Sequence, residues 1–253
     1  MPKPNFIELT DGERLPILYE DRSVMAIDKP VHWMLVPFSW QRTNRNLQAA
    51  IVSSIASGAF WARSRNIKFL RHVHRLDAET TGILLFARSI GGINTLGQLF
   101  ETRRMEKTYL AVVEGIPKHQ EWNCQLKLGP DPTKIGRIIV DPRNGKDAET
   151  AFRVLQTKEN RTLVEAKPVT GRTHQIRVHL ARSGYPIVGD EMYGKPLPGA
   201  KNRQYPMGLR AVTLVYSDPF TRRPVKIVAP SATFLREHGF VDPPGPSASV
   251  DML

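Results

Sequence analysis

The sequence predicts an α+β fold in which short strands and a few helices form a single domain. Three observations indicate this fold class. Seven short segments are rich in branched or aromatic residues and are bounded by Gly, Pro or charged residues, which is typical of strands. Other segments repeat apolar residues at helical spacing. The two kinds of segment are mixed along the chain and do not alternate strictly, and an α+β sheet fold follows.

The predicted elements can be placed in chain order. The strand candidates are residues 24–27, 83–87, 108–113, 151–155, 163–166, 209–216 and 225–228. Apolar residues at helical spacing predict two helices, through Leu47, Ala50, Ile51 and Ile55 and through Ile93, Leu96, Leu99 and Phe100. A last short helix is expected over 231–238, capped by Ser231 and stopped by Gly239. The turn-forming residues 217–220 lie between two strand-like runs and predict a hairpin over 215–225.

The chain of 253 residues shows no internal repeat and no Pro/Gly-rich linker in its middle. One domain with a cleft, over residues 15–240, is therefore preferred to two independent domains. Residues 1–14 carry no clear period and are expected to form a short N-terminal arm. Residues 241–253 have too little apolar content to pack and are expected to form a flexible tail.

The amino-acid composition limits the cellular compartment and the kind of binding partner that can be expected. Cys124 is the only cysteine, which excludes an intramolecular disulfide and a cysteine-rich metal site and fits a reducing compartment. The chain has neither a secretory signal nor an apolar run long enough to span a membrane, so a cytoplasmic location and no membrane partner are expected. Lys and Arg number 36 against 24 Asp and Glu, a formal net charge of +12. Such an excess favours a polyanionic partner, above all nucleic acid.

Basic and aromatic residues are interleaved between residues 61 and 75. The cations are Arg63, Arg65, Lys68, Arg71 and Arg75, and the rings among them are Trp61, Phe69, His72 and His74. This pattern suits phosphate contacts combined with base stacking. The alternative is an ordinary solvated face.

Residues 74–82 read His-Arg-Leu-Asp-Ala-Glu-Thr-Thr-Gly and place one carboxylate, Asp77, between an arginine and a glycine-ended turn. Asp77 is therefore a candidate nucleophile, the alternative being a solvated ion pair beside a turn. The nine residues resemble the His-Arg-Leu-Asp-x-x-Thr-Ser-Gly signature of the pseudouridine synthases, in particular the bacterial branch that acts on large-subunit ribosomal RNA and on transfer RNA. Thr81 replaces the usual Ser and keeps a hydroxyl, so the turn is expected to survive.

Further landmarks of that family occur in the same order, at residues 17–21, 24–30, 107–115, 145–150, 171–180 and 184–190. The resemblance spans roughly residues 15–238. It implies the pseudouridine synthase fold, with a central, mostly antiparallel or mixed sheet, flanking helices and an RNA-binding catalytic cleft. The additional N-terminal RNA-binding module that is frequent in the family does not fit within residues 1–14.

The resemblance also implies an activity, the isomerisation of specific uridines in ribosomal or transfer RNA without a cofactor. The reaction breaks the bond between uracil N1 and the ribose, rotates the base, and joins C5 to the same ribose carbon. By resemblance Asp77 is the catalytic carboxylate. It could attack the anomeric carbon, attack the ring or assist elimination, and each scheme needs the ionised form. A nearby positive charge keeps a carboxylate ionised in a cleft without water, and the resemblance gives this role to Arg177.

Pleat alternation places Tyr109 on the face of its strand opposite Leu110 and Val112. By resemblance Tyr109 is catalytic: it stacks on the target base and is a candidate for removing the C5 proton. A phenol with an ordinary pKa of about 10 is a poor base at neutral pH, so stacking is the better supported role. A helix that begins near His174 would place Thr173 and Arg177 one turn apart on one face.

The residues predicted to contact RNA are Arg71, His74, Arg75, Arg172 and His174. A uridine must leave the helical stack before its base can be reworked. The resemblance implies that Arg75 fills the vacated place, and a phosphate contact is the alternative. Substrate selectivity is expected in residues 37–42 and 201–205.

Other kinds of site are not expected. The histidine pairs of the chain lack the helical spacing of metal ligands and no cysteine assists them, so no metal site is predicted. The absence of a Gly-rich phosphate loop argues against a nucleotide or redox cofactor. The competing hypothesis is a non-catalytic RNA-binding or RNA-folding protein on the same scaffold, and the joint presence of Asp77, Tyr109 and Arg177 argues against it. A monomer is expected.

Overall fold

A computed structural model describes residues 2–35, 45–194 and 206–241 of the chain. The strands within these residues are β1 Phe6–Glu8, β2 Arg14–Glu20, β3 Val24–Lys29, β4 Arg71–His72, β5 Thr81–Ala87, β6 Glu106–Glu114, β7 Glu121–Cys124, β8 Leu128–Pro130, β9 Ile138–Val140, β10 Thr150–Lys158, β11 Arg161–Pro168, β12 Leu209–Ser217 and β13 Pro224–Val228. The helices are α1 Leu47–Ala56, α2 Phe60–Arg63, α3 Ile90–Glu101, α4 Gln175–Arg182 and α5 Ala232–Glu237.

Most strands of the described residues join one sheet in the order β1-β2-β3-β5-β12-β6-β11-β10-β7, with β13 paired to β12 and β4 to β5. Strands β8 and β9 form a separate hairpin. The pairings within the large sheet are antiparallel except that of β5 with β12, which is parallel. The α+β prediction with a mixed sheet is therefore confirmed.

The parallel contact between β5 and β12 lies at the centre of the sheet and depends on a glycine. Gly82 pairs with Ala211 and has a φ of +103°. A Cβ at Gly82 would lie 2.1 Å from the carbonyl oxygen of Ala211. Only a residue without a side chain fits both that backbone angle and that approach. The glycine that ends the motif of residues 74–82 is thus required for packing.

The central strands are buried on both faces because helices cover each side of the sheet. Along β5, Leu84 and Phe86 pack in a cluster with α1 and α2, and Ile83 and Leu85 pack on the opposite face in the cluster that includes Leu96 of α3. Alternation along a strand sends successive side chains to opposite faces. This explains why β5 reads as a continuous apolar run.

Local signals explain where several helices begin and end. The side chains of Asn46 and Ser89 cap α1 and α3 by accepting from backbone N–H groups of the first turn, at 3.0 and 3.1 Å. After α5, Gly239 has a φ of +81°, and the N–H of Phe240 donates to the carbonyl of Leu235. This is the glycine-ended helix stop that the sequence predicts there.

The predicted strands all lie within observed ones, and the predicted hairpin is confirmed, because β12 and β13 pair out to Ser217 and Pro224. The expectation for α4 needs a correction. The helix begins at Gln175, so Thr173 lies outside it and shares no helical face with Arg177. The reason is that His174, the N-cap, has a φ of +53°, which turns the chain just before the helix.

The structure describes most of the expected N-terminal arm and one residue of the expected C-terminal tail. Within the expected arm, β1 pairs with β2, and Ile7 and Leu9 are buried in the core cluster that also contains Trp61. Of the expected tail, the structure describes only Val241, which is exposed. Residues 37–42 and 201–205, where selectivity is expected, lie outside the described residues.

Candidate active site

Residues 74–82, called the signature loop below, enter β5 and carry Asp77. The buried amine of Lys29 holds the backbone of this loop through hydrogen bonds. Lys29, the last residue of β3, is fully buried. Its Nζ donates to three backbone carbonyl oxygens, those of Pro30, Ala78 and Thr80, at 2.8, 3.0 and 2.9 Å. Burial lowers the pKa of Lys29 to about 8 against the opposing charges of Glu79 and Asp77. Lys29 therefore fixes the path of the chain directly after the Asp77 carboxylate.

Arg177 reaches Asp77 from α4, 100 residues further along the chain. Its Nη1 donates to Asp77 Oδ2 at 3.2 Å and lies 3.9 Å from the carboxylate of Glu79. The side chain of Arg177 is 4% exposed, and that of Asp77 is 15% exposed. The pairing predicted from the resemblance is thus present in the structure.

Arg177 is held by a second carboxylate that the sequence did not single out. Its Nε and Nη2 donate to the two oxygens of Asp190, each at 2.8 Å, and the side chain of Asp190 has no exposed surface. Two backbone N–H groups, of Met192 and Tyr193, also donate to Asp190. The two-pronged contact fixes the plane of the guanidinium and leaves Nη1 for Asp77.

The charge state of this cluster follows from its pairing. Burial alone lowers the pKa of Arg177, but the hydrogen bonds and charge of Asp190, with the charges of Asp77 and Glu79, raise the pKa above its ordinary value. Burial alone raises the pKa of Asp190, and its bonds with Arg177 bring the pKa below the ordinary range. Arg177 therefore remains a cation beside Asp77, and such a neighbour favours an ionised carboxylate.

Tyr109 lies on β6 and lines the same cleft as Asp77 and Arg177. Leu110 and Val112 pack on the opposite face of β6, as alternation predicts. Burial raises the pKa of the Tyr109 phenol, and the charge of Asp77 raises it further. The phenol is consequently protonated at neutral pH, where it offers a flat ring and a hydrogen-bond donor.

The structure separates the predicted RNA-contacting residues into two groups. Arg75, Arg172 and His174 line the cleft, the two arginines being exposed and His174 buried. Arg71 is exposed on β4 and does not line the cleft. His74 is half-buried outside the cleft lining, and its ring stacks on a phenylalanine at 4.7 Å between ring centroids.

The surroundings of His74 point to a structural task. Its Nε2 accepts a hydrogen bond from the backbone N–H of Leu85 at 3.1 Å. Burial lowers the pKa of His74 to about 3, and the charges of Lys107 and His72 act in the same direction. A neutral imidazole that already accepts from the backbone supports the entry into β5.

One further cation faces the cleft. Lys107 lies two residues before Tyr109 on β6, lines the cleft, and donates to the carbonyl of Thr170 at 3.1 Å. Burial lowers the pKa of Lys107 to about 8. With Arg75 and Arg172 it gives the cleft a basic rim around one ionised carboxylate. Such an arrangement can bind a polyanion and expose one of its units to a nucleophile.

Other chemistry finds no support among the described residues. They contain no group of three or more His, Cys, Asp or Glu side chains placed to hold a metal ion. Over the same parts of the chain, no helix combines the length and apolar composition needed to cross a membrane.

Comparison with known families decides how this cleft is classified. The family described as RNA pseudouridylate synthase matches residues 24–182, a span that contains Asp77, Tyr109 and Arg177. The chain belongs to this family. Asp190 and Tyr193 lie beyond the matched span.

Two relatives show how far the likeness extends. A protein of Vibrio vulnificus (strain CMCP6) named ribosomal large subunit pseudouridine synthase C is 32% identical over 220 residues, which are 85% of this chain and 65% of the relative. A Bacillus subtilis (strain 168) protein named uncharacterized RNA pseudouridine synthase YhcT is 34% identical over 200 residues, 75% of this chain and 64% of the relative. The chain thus spans just under two thirds of the length of these relatives.

Solved structures support the assignment of the fold. The human RNA pseudouridylate synthase domain containing 1 protein superimposes with a TM-score of 0.68 at 26% identity, covering 85% of this chain and 83% of that one. The human domain containing 4 protein gives a TM-score of 0.69 at 24% identity and covers 87% and 90% of the two chains. The mixed sheet described above is therefore the pseudouridine synthase fold.

Sequence reasoning missed four residues that organise this candidate site. They are Lys29, Gln175, Asp190 and Tyr193. The side chain of Gln175 joins the turn before α4 to β10, because it accepts from Thr170 Oγ1 and Arg172 N and donates to the Thr150 hydroxyl. Lys29 and Asp190 lie at the ends of recognised landmarks, but only the structure shows what each of them binds.

Proposed function

We propose that the chain is an RNA pseudouridine synthase, an isomerase that converts uridine in RNA to pseudouridine. The observation that carries the proposal is the ion pair of Asp77 with Arg177 at 3.2 Å in a cleft that Tyr109 also lines. Membership of the RNA pseudouridylate synthase family supports the same reading.

Asp77 supplies the negative charge that the reaction needs at the ribose or at the ring. Of the Asp77 oxygens, Arg177 donates to Oδ2 alone, so Oδ1, which has two lone pairs, can face substrate with one of them while the other accepts from a protein donor. Asp190 binds the guanidinium through Nε and Nη2, so Asp77 accepts a single hydrogen bond from Arg177, and the proposed reaction uses the ionised carboxylate of Asp77. Attack on the anomeric carbon, attack on the ring and assistance of elimination all use this ionised form.

Tyr109 supplies the surface on which the extruded base rests. Its raised pKa favours the protonated phenol, so we assign it stacking and hydrogen-bond donation and not removal of the C5 proton. A Tyr109→Phe variant is expected to keep the stacking surface and to lose only the contribution of the hydroxyl.

The substrate in this proposal is a structured RNA whose target uridine leaves the stack. Arg75 and Arg172 at the exposed rim contact the backbone near that uridine, and the net charge of +12 supports binding of a polyanion. The curated relative is named for the large ribosomal subunit, which favours large-subunit ribosomal RNA as the first substrate to test. Transfer RNA is the second.

The decisive experiment compares the intact protein with Asp77→Asn. Isomerisation is expected to fall by at least about 1,000-fold, because the variant lacks the reacting oxygen charge. RNA affinity and folding are expected to be kept, since Arg177 retains its pair with Asp190. The competing hypothesis, a non-catalytic RNA-binding or RNA-folding protein, predicts no measurable activity in either form. Unchanged modification by the variant would refute the role of Asp77.

Mapping of pseudouridines identifies the substrate. Total RNA from cells with and without the gene is compared, and the deletion is complemented with the intact protein or with Asp77→Asn. Positions that disappear in the deletion and return only with the intact protein are the targets. If no position changes in ribosomal or transfer RNA, the binding hypothesis takes precedence.

We also propose that the enzyme works in the cytoplasm as a monomer and without a cofactor. Activity of purified protein after dialysis against a chelator, in a fraction with the mass of one chain, tests the last two points. Activity that is lost on dialysis and returns with a metal or a small molecule would refute the absence of a cofactor.

A further inference from the structure

The imidazole of His174 lies between Asp77 and a tyrosine that the proposed mechanism does not use. Its Nε2 is 3.8 Å from Asp77 Oδ1, and its Nδ1 is 2.8 Å from the hydroxyl of Tyr193. The residue is 8% exposed and lines the cleft. Asp77 therefore has Arg177 at one carboxylate oxygen and His174 at the other.

The hydrogen bonds around the Tyr193 hydroxyl favour one tautomer of this imidazole. The backbone N–H of Ile138 donates to the Tyr193 hydroxyl oxygen at 2.8 Å. Over the described residues, the only other polar partner of this hydroxyl is His174 Nδ1. Because no other group among the described residues is placed to accept the hydroxyl hydrogen, we infer that it is donated to Nδ1. A neutral imidazole that accepts at Nδ1 carries its proton on Nε2, the nitrogen that faces Asp77.

Burial of the imidazole favours this neutral form. Burial lowers the pKa of His174 below its ordinary value. Asp77, Asp190 and Glu79 act to raise it and Arg177 acts to lower it, with a net decrease.

The backbone at His174 is unusual for a residue with a side chain. Its φ of +53° lies in the left-handed region, at the N-cap of α4. Such a conformation costs free energy in a residue other than glycine and persists where surrounding contacts enforce it. Here it aims the ring into the cleft, between the signature loop and Tyr193.

We propose that His174 is a positioning residue for Asp77, with its Nε2–H directed at Oδ1 by a hydrogen bond from the Tyr193 hydroxyl to Nδ1. The inference rests on the proposed function, since it deepens the role of the same site. At 3.8 Å the two atoms are too far apart for a hydrogen bond in the free protein. A displacement of about 1 Å on RNA binding brings them within range, so that both oxygens of Asp77 are oriented by donors.

A pair of substitutions separates positioning from a merely structural role. In His174→Gln the amide nitrogen reaches the place of Nε2 and keeps a donor toward Asp77, but the contact with Tyr193 is lost. In His174→Asn the shorter amide keeps a partner for Tyr193 and suits the left-handed backbone, but no donor faces Asp77. Positioning predicts that the Gln variant keeps most of the single-turnover rate and that the Asn variant loses about 10- to 100-fold. A structural role predicts the reverse order.

The measurement is the single-turnover rate at saturating RNA, with the dissociation constant for RNA and the thermal unfolding midpoint of each variant. His119→Gln and His119→Asn, in an exposed turn, are the matched controls and are expected to match the unsubstituted protein. Equal rates for His174→Gln and His174→Asn, or a faster Asn variant, would overturn the proposal.

A spectroscopic test does not depend on activity. Two-bond hydrogen-to-nitrogen correlations in nitrogen-15-labelled protein are expected to show His174 with its proton on Nε2. In Tyr193→Phe, both neutral tautomers are expected, together with a loss of about tenfold in single-turnover rate. A proton on Nδ1 in the unsubstituted protein would overturn the proposal whatever the activity. An inactive protein with the Nε2 tautomer would refute the proposed function and leave the geometry at His174 standing.

Discussion

The signature loop holds Asp77 through backbone contacts, whereas α4 and the residues after it hold Arg177 through charged side chains. On the loop side, the ammonium of Lys29 binds two carbonyl oxygens that follow Asp77, those of Ala78 and Thr80, and Gly82 lets β5 touch β12. On the α4 side, Asp190 takes two nitrogens of Arg177 and leaves a third for Asp77.

The two constructions fail for different physical reasons. Backbone contact at the loop leaves no room for added atoms, so an extra methyl group displaces the whole entry to β5. Paired charges on the α4 side tolerate changes of shape better, but removal of one partner leaves the other buried and unpaired. The signature loop sets the position of the Asp77 carboxylate, and Arg177 of α4 sets the charge beside it. Substitutions on the two sides can therefore test position and charge independently.

The largest expected effect lies on the α4 side. Arg177→Met leaves Asp190 buried without its partner and is expected to cost about 3 to 5 kcal/mol in the free energy of unfolding, with loss of activity. Urea unfolding measures the change. The double variant Arg177→Met with Asp190→Asn removes both charges and keeps an oxygen for the N–H groups of Met192 and Tyr193.

That double variant is expected to regain about 1 to 3 kcal/mol and to remain inactive. Equal stability of the single and double variants would show that the charge pair does not hold α4, and the contrast between the two sides would fail.

On the loop side the corresponding test is Gly82→Ala. The added Cβ would lie 2.1 Å from the carbonyl oxygen of Ala211 on a backbone with a φ of +103°, so a loss of about 3 kcal/mol is expected. Gly97→Ala is the matched control, because Gly97 lies within α3 with open space at its Cβ position. That control is expected to gain about 0.5 to 1 kcal/mol, and a loss there equal to that at Gly82 would exclude the steric explanation.

A smaller effect is expected at Lys29, which holds the loop but does not itself line the cleft. Lys29→Met removes the donor for three carbonyl oxygens and is expected to cost about 2 kcal/mol. The single-turnover rate is expected to fall while RNA affinity is kept. Lys158→Met removes one exposed contact, to the carbonyl of Gly239, and is expected to change stability by less than about 0.5 kcal/mol. A fall in RNA affinity equal to the fall in rate would show that Lys29 does more than hold the loop.

The same contrast explains what the sequence could predict. The signature loop is contiguous, so Asp77 and the need for Gly82 are visible in nine adjacent residues. Arg177 was found only through its own motif, and its pairing with Asp77 across 100 residues was predicted only from the resemblance. Asp190 and Tyr193 act through side chains whose partners are distant in sequence, and nothing in their local pattern indicates those partners.

The short strands that were missed and the misplaced start of α4 also have physical causes. Strands β1, β8 and β9 have three residues each, too few for alternation to be recognised. The left-handed backbone at His174 has no clear sequence signal, since residues other than glycine seldom adopt it, and a helix starting one residue earlier fitted the apolar spacing as well. Tertiary contacts decided both.

The effect that is smallest at neutral pH concerns titration, and it extends the comparison to His74, which supports the entry into β5. The pKa of His74 is lowered to about 3 in the folded protein, while an unfolded histidine titrates at about 6.5. Between these values the unfolded chain binds more protons, so this residue makes the free energy of unfolding rise with pH. Its contribution is present in full above pH 6.5 and is lost as the pH falls toward 3, with a slope of at most about 1.4 kcal/mol per pH unit.

His74→Gln is expected to flatten that slope, because an amide oxygen can still accept from the N–H of Leu85 but does not titrate. Urea unfolding at intervals from pH 4 to pH 7 measures the slope, and His119→Gln is the control for the substitution itself. An unchanged slope in His74→Gln would mean that His74 is solvated enough to take up a proton in place. Support of the signature loop would then come from Lys29 and the backbone contacts of the loop, and not from a neutral His74.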